Sequence, residues 1–416
     1  MLDSIKINMP EHVQTILGKL NTDGYEAVII GGCVRDTLMG EIPHDWDIAT
    51  SAQPEEIMKC FKGYNLMTAG LKHGTVTVII DHEPFEITTY RIDGKYSDLR
   101  RPDSVDFTTD LAKDIMRRDF TINAIAYDGE EIIDLHDGIG DMQRGIIRCV
   151  GNPQDRFQED PLRILRAIRF SARFGFKIDN GTKSAMFDNM HLLEKIAMER
   201  KQSEFSKTIC SEHIDSILSF QDILAYVMPG LLEIENWTQL VRLLNKSNNL
   251  CVKLAFMLDA LAVNDVNEVV EILSRVMKYP NKTVKSVCNI ISAKNELIVN
   301  SDICIKRLLF RFPVEDVRGL YDFKYAKIKE STLQKYDCGV QYELYSDVDS
   351  KIEKIISDNE CYNFKGMNIN GHDLKKLGIK DVEIKTYLTQ LLDLIITGQL
   401  INEKGILIET VKNSQL

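Results

Sequence analysis

Residues 31–50 read GGCVRDTLMGEIPHDWDIAT, and the N-terminal third of the chain is best understood from them. The apolar run Ala27-Val28-Ile29-Ile30 before them has the length and β-branching of a short buried strand, and Cys33-Val34-Arg35-Asp36-Thr37-Leu38 opens a helix. Gly31-Gly32 is the turn between the two. Asp45 and Asp47 follow on the next expected strand, WDIAT. Side chains two apart on a strand face the same way, so both carboxylates point to one side.

Paired carboxylates suit Mg²⁺, which takes oxygen ligands. Two such ions about 3.5–4 Å apart are what nucleotidyl transfer from a triphosphate requires, because the attacking and leaving oxygens must be held together. Asp45 and Asp47 are therefore the expected metal ligands, for two Mg²⁺ ions. Gly32 and its neighbour let the backbone approach phosphate, the N–H groups of a helix start favour negative charge, and Arg35, one turn in, could clamp the triphosphate. A Gly-Gly alone is usually a tight turn, and a D-x-D alone a solvated strand edge. Their joint spacing is what points to a site. No G-x-x-x-x-G-K-[ST] occurs, so a Walker-type site is excluded. Glu86, in Phe85-Glu86-Ile87-Thr88, could lie on a strand beside the two aspartates and serve as a third metal ligand or as the base toward a primer hydroxyl. An exposed strand glutamate is the competing reading.

Outward from this stretch, VQTILGKL reads as an amphipathic helix, PEEIMKCF as a helix led by Pro54, and GTVTVIIDHEPFEITTYRI as a hairpin around Asp81-His82-Glu83-Pro84. Beyond about Phe157 apolar residues recur at three- and four-residue spacing, as in LRILRAIRF, DILAYVMPGLL, VKLAFMLDALAV and YLTQLLDLII. The fold class expected is an α/β head with a small mixed sheet, followed by an all-α neck, body and tail. The boundaries expected are 1–150 for the head, 151–210 for the neck, 211–320 for the body and 321–416 for the tail.

Length and composition agree with several domains, since 416 residues exceed what one core usually supports. No apolar run reaches about 18 residues and MLDSIKINMPEH lacks the features of a signal peptide, so a soluble cytoplasmic protein is expected. Nine cysteines without a C-x-x-C pair indicate neither disulfides nor a zinc cluster, and they are expected to be reduced and mostly buried. A net charge of −11 argues against non-specific coating of nucleic acid. Any RNA contact must use concentrated positive charge, and Arg156 to Arg173 is the densest arginine stretch.

GGCVRDTLMGEIPHDWDIAT resembles the head motif of the polymerase-β-like nucleotidyltransferases, and in particular of the class II tRNA nucleotidyltransferases. Arg117-Arg118-Asp119-Phe120-Thr121-Ile122-Asn123-Ala124 is similar to that family's ribose-contacting motif, Asp134 to Asp141 to its head-to-neck connection, and Glu159-Asp160-Pro161-Leu162-Arg163 to its base-reading motif. Glu204-Phe205 falls at its neck-stabilising element. The likeness covers about residues 25–210, and more weakly the C-terminal MNINGHDLKKLGI. It implies addition of CCA to a tRNA 3′ end from CTP and ATP, with Arg118, Asp119, Asp160, Arg163, Arg166 and Arg169 at the nucleotide. A loop over Asp93 to Pro102 corresponds to one the family associates with switching from C to A addition.

Hydrogen-bond chemistry gives the base-reading motif a reason. Cytosine and adenine both present an amine donor beside a ring-nitrogen acceptor; uracil and guanine present a carbonyl beside a ring N–H. An aspartate only accepts and an arginine only donates, so Asp160 with Arg163 complements C and A alone. A helix N-cap is the plainer role for Asp160, with Pro161 at the first helical position. Arg166 and Arg169 are placed to neutralise the triphosphate or to position that pair; a solvated basic helix face is the alternative.

Three competing functions remain at this point: a bacterial poly(A) polymerase, which shares the head motifs; a CC-adding or A-adding enzyme; and a non-catalytic RNA-binding protein on the same head. Against the first, Gly70-Leu71-Lys72-His73-Gly74-Thr75 resembles the CCA-type strand entry and there is no long basic tail. Against the last, the aligned Asp45, Asp47 and Asp160-to-Arg169 groups serve no mere binding module. Leu258 before Asp259 replaces the histidine that related phosphohydrolases carry, so hydrolase activity is not expected. Trp46 is bulkier than the usual residue between the aspartates and is expected to point away from the metals. No membrane contact is expected; a homodimer is one of the assemblies left open.

Overall fold

The computed structural model describes residues 6–94, 105–332 and 347–413, in two compact units, Met1–Leu232 and Glu233–Leu416. The division at 232/233 falls inside the stretch expected as body. The loop expected over 93–102 lies, from Lys95 onward, outside the described residues.

The first unit is built on a seven-stranded mixed sheet. Its strands are β1 (Ala27–Ile30), β2 (Ile48–Thr50), β3 (Asn65–Met67), β4 (Thr75–Ile80) and β5 (Glu83–Thr89), with Ile125–Tyr127 and Ile132–Asp134 beyond β1. The order runs β3-β4-β5-β2-β1, then the last two. β1 alternates between two cores: Ala27 and Ile29 pack with Val13, Ile16 and Ile57, while Val28 and Ile30 pack with Tyr90, Ile115 and Ala126. Both faces of that strand are covered, and so it reads as an unbroken apolar run.

The helices α1 (Glu11–Thr22), α2 (Gly32–Leu38) and α3 (Pro54–Cys60) fall where the sequence predicts them, α3 with a capping box between Gln53 and Glu56. Three differences matter. The second strand begins at Ile48, so Asp45 and Asp47 precede it rather than lie on it, although the Asp47 carbonyl still accepts the Ile30 N–H. The hairpin turn is the dipeptide Asp81-His82, both with positive φ, and Glu83 and Pro84 belong to β5; two residues in that conformation close a tight hairpin. β5 ends at Thr89, and Arg91–Asp93 pairs instead with Val105–Phe107 in a separate two-stranded sheet.

The helical part of this unit contains α4 (Leu111–Met116), α5 (Gly138–Arg144), α6 (Pro153–Glu159), α7 (Leu162–Phe174), α8 (Asn180–Asn189) and α9 (Met198–Ile209). Of the predicted DILAYVMPGLL helix only Gln221–Leu224 is α-helical, because Pro229-Gly230 interrupts the hydrogen-bond ladder before a short 3-10 turn at Leu231–Glu233.

The second unit is helical among its described residues, from Trp237–Leu244 through Leu250–Ala260 to Val314–Thr332, and ends in Asp381–Ile396 and Lys404–Lys412. Asn370 and Asp373 form a capping box at the start of Gly371–Lys376, inside MNINGHDLKKLGI, and Ile369, Leu374, Leu391 and Leu407 make that region's core. Asp259 is ion-paired to Lys294 and Lys327. Burial pushes its carboxyl up, but the two ammonium groups hold it below the ordinary value. Protein cations thus neutralise the acid that a phosphohydrolase would offer to a metal. Four of the eight described cysteines are buried, fewer than expected.

Candidate active site

One cavity of about 610 Å³ in the first unit gathers nearly every residue singled out from the sequence. Gly31, Gly32, Arg35, Asp45 and Asp47 come from the sheet and α2; Arg117, Arg118, Asp119 and Asn123 from the segment after α4; Asp160, Arg163, Arg166, Arg169, Phe170 and Arg173 from α7 and its approach; and Arg200 from α9. Eight arginines face four aspartates, so an acidic chain presents a locally basic cavity.

Gly31 is the glycine the turn requires. Its φ of +89° suits no L side chain, and a Cβ there would stand 3.2 Å from Arg118 Nη1. Gly32 already has helical backbone, and a Cβ on it would meet only Arg35 Nη2 at 3.6 Å. Gly31, rather than Gly32, is thus the position that the turn restricts to glycine.

Asp45 and Asp47 border the cavity on the sheet side. Desolvation by the surrounding protein raises the Asp47 carboxyl pKa; Arg118 opposes the shift and the charge of Asp45 adds to it. Both side chains still reach solvent. Two adjacent carboxylates open toward one cavity fit Mg²⁺, which binds through one or two carboxylates and completes its shell with water and substrate phosphate. Among the described residues no group of three acids, histidines or cysteines could hold a metal by itself. Glu86 accordingly does not close a three-carboxylate cage. It lines a neighbouring cavity of about 530 Å³ that also touches Asp45 and Asp47. The parallel register of β2 and β5, Ile48 opposite Ile87, sets Glu86 beside Asp47 when continued one residue back. Trp46 packs against the sheet core, in keeping with the expected orientation.

The arginines are held by acids behind them. Asp114, 1% exposed, pairs with Arg117 at 2.8 Å and Arg118 at 3.1 Å. Arg166 donates from Nε (2.8 Å) and Nη2 (2.5 Å) to Asp119 Oδ2, while Asn123 Nδ2 and the Phe120 N–H donate to Oδ1. Burial raises the Asp119 carboxyl, but Arg166 and Asn123 outweigh it and leave it at about 2. All four acceptor sites of that carboxylate are engaged. Arg169 bonds Glu204 Oε2 at 2.5 Å, and Arg173 reaches Asp36 and Glu41. Arg35, expected as a clamp on the triphosphate, is only 4% exposed; it pairs with Asp36 and bonds Asn123 Oδ1. The Phe170 ring lies under three guanidinium groups, those of Arg35, Arg166 and Arg169, at 5.4, 5.4 and 4.3 Å.

Asp160 and Arg163 lie in the same cavity, but they are not paired with one another. Asp160 Oδ1 accepts the Leu162 N–H at 3.1 Å, so this residue does cap the start of α7. Its Oδ2 accepts from Arg200 Nη2 at 2.9 Å. Arg163 donates to Glu159 Oε2 and to the carbonyls of Arg156 and Arg117. Three of its five N–H groups are thereby committed, and each Asp160 oxygen retains a lone pair. Arg200 escaped the sequence reading. The only signal for it was its position four residues before Glu204 on one helix, a spacing that puts both on the same face.

Comparison with known proteins defines the class and then the family. Residues 27–148 match the poly A polymerase head domain, and residues 175–234 match the probable RNA and SrmB-binding site of polymerase A. This is a nucleotidyltransferase head with a helical continuation. The chain is 35% identical to the CCA-adding enzyme of Ligilactobacillus salivarius over 97% of each chain, and 32% identical to that of Limosilactobacillus reuteri over 97% of this chain and 96% of the relative. The crystal structure of the Bacillus stearothermophilus CCA-adding enzyme in complex with CTP is similar over 98% of both chains, with a TM-score of 0.79 and 28% identity. The chain belongs to the CCA-adding enzyme family and is a CCA tRNA nucleotidyltransferase.

Proposed function

We propose that this chain extends a tRNA 3′ end by C, C and A, taking CTP and ATP without a nucleic-acid template and with two Mg²⁺ ions at Asp45 and Asp47. The observation that carries this reading is that the two carboxylates and Asp160, 113 to 115 residues apart in sequence, border one cavity ringed by eight arginines.

The primer's 3′ oxygen attacks the α-phosphorus, the bond to the bridging oxygen breaks, and pyrophosphate leaves. Bound Mg²⁺ would supply charge neutralisation for the phosphates and acidify the attacking hydroxyl. Glu86, in the adjoining cavity beside both aspartates, accepts the hydroxyl proton. Arg166, Arg169 and Arg173 set positive charge along the triphosphate, in an orientation held by Asp119, Glu204, Asp36 and the Phe170 ring. The free lone pairs of Asp160 accept the amine of cytosine or adenine, and an uncommitted N–H of Arg163 donates to the ring nitrogen. Uracil or guanine would leave the remaining acceptor of Asp160 and donor of Arg163 unsatisfied, at about 1–3 kcal/mol or more each. The enzyme works in the cytoplasm, where its tRNA substrate is; no helix among the described residues is long and apolar enough to cross a membrane.

The test offers the purified protein tRNAs lacking the last one, two or three nucleotides, with each NTP separately and with or without a chelator. Addition of C, C and A and nothing more, abolished by chelation, is the expected result. A run of A residues would indicate a poly(A) polymerase, arrest after CC a CC-adding enzyme, and no addition a binding protein.

A further inference from the structure

We infer that Arg200 is the positioning residue for base selection: it holds the Asp160 carboxylate aimed into the cavity, and so governs discrimination without reading the base itself. This inference rests on the proposed base-reading role of Asp160.

The arrangement starts from α9. Arg200 and Glu204 stand one turn apart on that helix and face α7. Arg200 Nη2 reaches Asp160 Oδ2 at 2.9 Å, and Glu204 Oε2 receives Arg169 Nε at 2.5 Å. One helix face therefore steadies both ends of the nucleotide site, the base-reading acid and an arginine on the triphosphate side. Phe205, fully buried, anchors α9 in the core between these contacts and the rest of the unit. Asp160 itself occupies the break between α6 and α7, where its backbone is extended, with φ −137° and ψ 97°. Its main chain is tied to both helices, the N–H to the Arg156 carbonyl and the carbonyl to the Arg163 N–H, while its carboxylate is directed by the bonds to the Leu162 N–H and Arg200.

Arg163 cannot do this work. Its guanidinium is bound to Glu159 and to two main-chain carbonyls and makes no contact with Asp160 among the described bonds. Without Arg200, the acid would lose its ionic partner and one of the two bonds that aim its carboxylate. A carboxylate free to rotate no longer sets its acceptor against the amine of cytosine or adenine, and that acceptor is what separates those bases from uracil and guanine. Loss of Arg200 should therefore relax selectivity rather than merely weaken nucleotide binding.

The test uses the full chain with tRNA lacking CCA and tRNA lacking only the final A. It measures kcat/KM for CTP, UTP, ATP and GTP in wild type, Arg200→Met, Arg200→Lys, Asp160→Ala and the Met/Ala double variant. The energy of one hydrogen bond to a charged group corresponds to about ten- to a hundredfold. Arg200→Met should cut the C-over-U and A-over-G ratios by about that factor, Arg200→Lys should restore most of it, and adding Arg200→Met to Asp160→Ala should change the ratios less than about twofold. Unchanged ratios in Arg200→Met, an equal loss for right and wrong bases, or multiplied losses in the double variant would each overturn the inference. If Arg200→Met does not fold, Arg200→Gln and Arg200→Lys carry the same ratios. Should Asp160→Ala alone keep wild-type selectivity, the base-reading role fails first, and that outcome is separate from a failure at Arg200.

Discussion

Replacing Asp119 by asparagine should destabilise the first unit in a way that depends on pH with a defined sign. The carboxylate is 8% exposed and sits between Arg166 on one oxygen and Asn123 with the Phe120 N–H on the other. Burial works against its charge, yet these partners bring its pKa from 3.8 to about 2. At roughly 1.4 kcal/mol per unit, a depression of this size is worth about 2 kcal/mol of folding stability. Because the folded value lies below the unfolded one, that contribution is fully present above about pH 4 and is lost as pH falls toward 2. Asparagine keeps the shape and gives up the charge, leaving Arg166 without its acid. Thermal or urea unfolding followed at pH 7 and at steps down through pH 4 should show Asp119→Asn about 4–8 °C less stable at pH 7. The gap should hold down to about pH 4 and close below it. Equal stability at pH 7, or a gap that widens on acidification, would refute the reasoning.

Three further outcomes follow from the same geometry. Gly31→Ala should lose about 1–3 kcal/mol of stability and most of its activity, since the backbone there is open only to glycine and the new methyl presses on Arg118, whereas Gly32→Ala should keep wild-type stability; unfolding midpoints of the pair compare them directly. Asp160→Ala should relax discrimination against UTP and GTP by about 1–3 kcal/mol, more than it weakens triphosphate binding, and selectivity ratios equal to wild type would contradict this. Glu86→Gln should lower kcat by about a hundredfold or more with little change in KM for CTP; a normal kcat would return Glu86 to the status of an exposed strand residue.

Much of the site was legible because its signals are local. Glycine pair, D-x-D and the arginine helix each sit within a few residues, and the strand-turn-helix around Gly31 is written in an apolar run that stops at a glycine. Where the reading slipped, the deciding contact lay elsewhere in the chain. The strand after Asp47 starts late because its pairing with β1 and β5 is set by the sheet. Arg35 is buried and bound to Asn123, 88 residues on, so its distance from the glycines along the helix said nothing of its freedom. DILAYVMPGLL has the apolar spacing of a helix, but Pro229 overrides that spacing.

From its amino acids alone the chain displays two acids at period-two spacing, an acid and a guanidinium where an arginine-rich helix begins, and an α/β head that runs into helices. What folding decides is which acid holds which arginine. Asp160 answers to Arg200 rather than Arg163, and Asp119 to Arg166, across 40 and 47 residues of sequence. The physical reason is that helix and strand periodicity act over a few residues, whereas charged side chains in a partly dry cavity pair with whatever neighbour tertiary packing brings within 3 Å.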